Sequence, residues 1–80
     1  MSTRKLSNVS ITDFKEFLTK VGCKHQGTER GHEKWSKKEL LRPVIFQTHI
    51  DPIPEFIIKN ALRTLNMSKQ DFFNTLFDVK

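Results

Sequence analysis

The residues best suited to chemistry lie between positions 30 and 49: Arg30-Gly31-His32-Glu33-Lys34-Trp35, followed by Lys37, Lys38, Arg42 and His49. Free imidazole titrates at about 6.5, so a histidine can take and return a proton near neutral pH. Cleavage of an RNA phosphodiester calls for such a group. A base takes the proton of the ribose 2′-hydroxyl, an acid protonates the leaving 5′ oxygen, and cations offset the charge that builds on phosphorus. His32 follows a glycine turn and opens a predicted strand, which places its ring at a sheet margin with solvent access. Arg30, Lys34 and Lys37 are near enough in sequence to serve as the cations. Lys38 and Arg42 extend the basic stretch, either as phosphate contacts or as charges that keep a loop in solvent. A surface histidine beside lysines is commonplace, so this pattern alone decides little.

Other chemistries find less support. One cysteine, Cys23, and three scattered histidines lack the paired spacings of zinc or iron ligands, so no metal and no cofactor is expected. Gly27 and Gly31 are followed by no phosphate-cradling pattern, and no serine sits in an elbow motif. His49 is a possible second acid or base, or a substrate contact; a strand-end histidine bonded to backbone is the plainer alternative. His25 reads as a surface residue. Trp35 can stack a base, but its parity with the apolar face favours the core. Glu33 is next to His32 in sequence yet points to the opposite side of a strand, so the two are not paired.

The elements that must hold these residues follow from the rest of the chain. Eighty residues make one small domain, and its single cysteine cannot form an internal disulfide, so packing must stabilise it. Seven Phe and one Trp are the main core candidates, each contributing roughly 1.5 to 3 kcal/mol when buried. The net charge is +5, and residues 1–50 carry ten Lys or Arg against five acids while residues 51–80 carry four against four. An excess confined to the first part points to a polyanion partner. No apolar run exceeds three residues, so neither a membrane span nor a secretory signal is expected, and the chain reads as cytoplasmic.

Residues 1–8 read as a loose arm and 9–80 as the domain. Ser10 and Asp13 form a capping box, with Val9 stapled onto Phe14. Ile11, Phe14, Phe17, Leu18 and Val21 then recur at helical spacing up to Gly22, which closes the helix. From Cys23 to Thr48 the period changes, and Gly27, Gly31 and Pro43 punctuate three predicted strands: Cys23 to Gln26, His32 to Lys37 and Val44 to Thr48. Alternation puts His32, Lys34, Gln47 and His49 on one open polar face if the third strand reaches that far. Pro54 suits a first helical turn, and Ile58, Ala61, Leu62 and Leu65 mark a second helix closed by Asn66. Ser68 with Asp71 repeats the capping box, Met67 staples onto Phe72, and Phe72, Phe73, Leu76 and Phe77 mark a third helix. The fold class is therefore α+β, in the order α-β-β-β-α-α, a three-stranded antiparallel sheet with helices packed on one face.

With these elements in order, the run Gly31-His32-Glu33-Lys34-Trp35 resembles that of the HicA toxins. Members of that family have a first helix ending at a glycine, a three-stranded meander, a histidine after a glycine at the start of the second strand, and an aromatic three positions on; Gly22, His32 and Trp35 take those places. A second histidine often follows the third strand, where Gln47-Thr48-His49 falls, with Gln47 standing where many members have proline. The closing amphipathic helix matches Glu55 to Leu65, so the resemblance spans Ser10 to about Phe77. It implies a fold like the double-stranded RNA-binding domain, metal-independent cleavage of messenger RNA with His32 as general acid or base, and a HicB-type antitoxin partner that covers the histidine. The alternative is a non-catalytic RNA-binding or protein-interaction module of the same fold. Ordinary duplex binders place a lysine cluster before the last main helix, where this chain reads Asp51-Pro52-Ile53-Pro54-Glu55.

Overall fold

Ser10 opens the first helix as its side chain dictates: Oγ accepts the Asp13 amide at 3.0 Å, and α1 runs Ile11–Lys20. The helix ends in a Schellman arrangement, with Gly22 at φ 95° and the Cys23 amide reaching back to the Leu18 carbonyl at 2.9 Å. The remaining elements of the computed structural model are β1 (Lys24–Glu29), β2 (His32–Ser36), β3 (Val44–Gln47), α2 (Glu55–Leu65) and α3 (Lys69–Phe77). The structure describes residues 8–77, without the side chain of Phe77. The arm expected over 1–8 therefore lies, apart from Asn8, outside the described residues, as do positions 78–80 and the apolar role expected of Phe77.

The chain forms a small α+β domain in which one open antiparallel sheet, ordered β1-β2-β3, packs with three helices. Alternation works as expected on β2 and β3. Glu33, Trp35, Val44 and Phe46 are buried on the helix side, whereas His32, Lys34 and Ile45 are exposed on the other. Phe14 and Phe17 of α1, Phe46 of β3 and Phe72 of α3 are all buried, and their rings interlock. Phe14 meets Phe46 edge-on at 5.0 Å, and Phe17 meets Phe72 at 4.6 Å. Ile58, Ala61 and Leu62 of α2 complete the same core. Trp35 takes the core role, its Nε1 donating to Glu33.

The first strand differs from its expected span. It begins at Lys24 rather than Cys23 and continues to Glu29, beyond Gly27, because Gly27 forms no turn. It pairs with Lys34, and the register slips by one residue between His25 and Gly27. Such a bulge uses the positive φ of 150° at Gly27 inside the strand. The turn lies instead at Arg30 and Gly31, both at positive φ (53° and 78°), the conformation of a two-residue hairpin connection. The second and third strands each end one residue earlier than expected, at Ser36 and Gln47.

Asp51 joins the two ends of the sequence pattern: its Oδ1 accepts the Ile11 amide at 3.0 Å, while the Ile53 amide donates to the Val9 carbonyl at 2.8 Å. Pro54 stands just before α2 rather than in its first turn. Asn66 closes that helix in the left-handed conformation, and the Ser68–Asp71 box then opens α3 with both of its hydrogen bonds at 3.0 Å.

Candidate functional site

His32 is the first residue of β2 and is exposed. Its Nδ1 lies 3.3 Å from the Arg30 carbonyl oxygen. A carbonyl only accepts, so in the neutral ring this contact calls for the proton on Nδ1 and the lone pair on Nε2. The Gln47 amide, directly across β3, reaches that nitrogen at 3.5 Å. A side-chain amide offers a donor to the neutral ring and, with its oxygen turned inward, an acceptor to imidazolium, so Gln47 can accompany either protonation state. On the other flank Glu29 is the register partner of His32, an acid that sequence adjacency does not reveal.

His49 does not continue the face of β3, because the strand stops at Gln47. The Thr48 amide instead donates to the Gly31 carbonyl at 2.8 Å. The His49 ring rests 3.5 Å from where a Cβ at Gly31 would sit, so the second imidazole is held against the residue that precedes His32. No family model, curated protein or solved structure matches the chain. The site must accordingly be understood from its own geometry.

The structure divides the nominated cations. Arg30 lies in the hairpin turn, and Lys34 is two residues along the open face from His32. Lys34, Lys37, Lys38 and Arg42 line a basin at the far end of β2, joined there by Lys24 and Gln26 of β1. A strand rises about 3.4 Å per residue, so Ser36 in that basin lies about 14 Å from His32 along β2. Lys37 is partly committed elsewhere: its Nζ donates to the Val21 carbonyl at 3.3 Å, serving the C-terminal end of α1. Lys24 stands ten residues before Lys34 in the chain, and the β1–β2 pairing brings the two to one face.

Two further features were not read from the sequence. A groove of about 170 Å³ adjoins His32 between β3 and the start of α2, walled by Ile45, Ile50, Pro54 and Phe56. Behind the sheet, Glu33 is 4 % exposed and bonded to Lys15 at 2.9 Å and to Trp35 Nε1 at 3.0 Å. His25, expected at the surface, does keep an exposed side chain, yet it also lies 3.7 Å from Glu33 and against the Trp35 ring. Burial pushes the Glu33 carboxyl up, but the Lys15 and Trp35 hydrogen bonds and the charges of Lys15 and His25 outweigh it and hold the group below the usual glutamate range. Burial likewise raises the Cys23 thiol, only partly offset by Lys37, which makes it an unreactive core residue. Among the described residues no cluster of His, Cys, Asp and Glu could hold a metal ion, and no helix is long and apolar enough to cross a membrane.

Proposed function

We propose that this chain is a HicA-like toxin, a cytoplasmic endoribonuclease that cuts messenger RNA without a metal and is held in check by a HicB-type antitoxin. The observation that carries the reading is His32: an exposed imidazole with Nδ1 on a backbone carbonyl and Nε2 met by the Gln47 side-chain amide at 3.5 Å, on a sheet face that leads into a basin holding five cations. Nε2 takes the 2′-hydroxyl proton. The 2′ oxygen then attacks phosphorus as the bond to the 5′ oxygen breaks, giving a 2′,3′-cyclic phosphate and a 5′-hydroxyl. The leaving oxygen needs a proton, and an imidazolium at His49, whose ring rests against Gly31 next to His32, is the candidate donor. Lys34 and Arg30 offset charge on the phosphorane, while Lys37, Lys38 and Arg42 hold more distant phosphates.

The test is purified protein on single-stranded RNA in excess EDTA. Cleavage is expected, with a cyclic phosphate end, no cutting of the deoxyribose strand of the same sequence, and a loss of at least a hundredfold in His32→Ala, the usual size of a general acid–base contribution. Activity that requires added metal, or an unimpaired His32→Ala, overturns the reading. One observation favours the non-catalytic alternative: most of the cations gather at the opposite end of β2 from His32. That reading requires RNA to be bound and left intact by the parent chain.

A further inference from the structure

The groove beside His32 is built unlike the rest of the open face. Phe56 is 63 % exposed, Ile45 50 % and Ile50 37 %, so three large apolar side chains face solvent around one small hollow. The basin at the other end of the sheet gathers Lys24, Lys34, Lys37, Lys38 and Arg42 beside the apolar Leu40, Leu41 and Pro43, and the cross-strand pair Lys34–Ile45 joins the two. A ligand that satisfies both ends must present a flat apolar ring at one point and anionic groups at the next. An unpaired nucleotide strand has that constitution, since each base exposes a π face and each linkage carries a charge. A duplex does not, because its bases are stacked inside.

We infer that the Ile45–Ile50–Phe56 groove is a nucleobase subsite, in which one unstacked base lies on the Phe56 ring while the backbone runs past His32 and Lys34 toward Lys24 and Lys38. The inference rests on RNA being the substrate, as proposed above, and adds single-strand selectivity and a base-gripping residue. The groove volume of about 170 Å³ is below the roughly 300 Å³ at which drug-sized pockets begin, so it fits one ring system. Phe56 is on the first turn of α2, a rigid mount for a stacking platform.

The experiment uses the unaltered chain and a 2′-O-methylated RNA strand, which lacks the nucleophile and so reports binding without cleavage. Fluorescence anisotropy should show the single strand held at least tenfold more tightly than its duplex. Phe56→Ala should weaken single-strand binding about tenfold, the scale of one stacked base, and Phe56→Leu should recover little of it. Both variants should melt with the parent, since the ring is largely in solvent. An abasic nucleotide placed at the cleavage position should reproduce the loss in the parent and add nothing in Phe56→Ala. Lys24→Ala and Lys38→Ala should each lower the slope of log affinity against log salt by about 0.7. Unchanged affinity in Phe56→Ala, or equal binding of duplex, overturns the inference and leaves the groove to another occupant such as a protein segment. Cleavage without the Phe56 effect sinks the subsite alone; the Phe56 effect without cleavage sinks the nuclease reading alone.

Discussion

Glu33 shows how one residue couples a strand to a helix. Its position on the buried side of β2 follows from its parity with Trp35, but nothing in the local sequence says that Lys15 of α1 arrives to meet it. Because its folded carboxyl titrates below the unfolded one, its ionised form contributes stability that is present above the ordinary glutamate range and disappears as pH falls through the lowered value. The melting temperatures of parent and Glu33→Gln should accordingly differ at neutral pH and converge in acid; a constant gap would contradict the coupling. Lys15→Ala should cost about 1 to 3 kcal/mol at neutral pH in a denaturant titration, since it leaves a buried carboxylate short of a partner. At the face proposed to be catalytic, Gln47→Glu places a carboxylate beside the His32 ring, which favours imidazolium. The rising limb of the cleavage pH profile should then move to higher pH with the fold unchanged.

At the scale of elements, the helices were the most legible part of the chain. Their start and stop signals are local: Ser10, Gly22, Asn66 and the Ser68–Asp71 pair each act through hydrogen bonds within a few residues. Ser68→Ala should therefore cost about 1 kcal/mol, measured by denaturant unfolding. The first strand was harder, because a glycine that signals a turn can equally serve a bulge, and the partner strand decides between them. Gly27 is the case in point. The hairpin turn itself carries a strained residue, Arg30 at φ 53°, where asparagine is better suited. Arg30→Asn should raise stability by up to about 1 kcal/mol while leaving the carbonyl that holds His32 in place. A lower melting temperature would mean that the arginine side chain has a structural duty of its own.

For the molecule as a whole, four phenylalanines interlock α1, β3 and α3, so these three elements depend on one another for their packing. A domain of this size has on the order of 4 to 12 kcal/mol of net stability, and Phe14→Ala should remove about 3 to 5 of it, leaving a chain that is marginal or unfolded near body temperature. His32 and most of the cations can be nominated as candidates from their neighbours in sequence. Their distribution cannot be, because strand pairing rather than chain proximity brings Lys24, opposite Ser36, to the same basin as Lys34. The groove is hidden for the same reason: Ile45 and Phe56 lie in different elements, and Phe56 reads by itself as a core candidate. The Arg30-Gly31 turn supplies the carbonyl that orients one imidazole and the bare backbone that admits the other, yet none of its side chains enters the core. On the proposed nuclease reading, one residue inserted there would spare the scaffold and scatter the two imidazoles. Such a chain would be a decoy, intact in shape and, if the proposed antitoxin exists, still able to occupy it, but chemically mute.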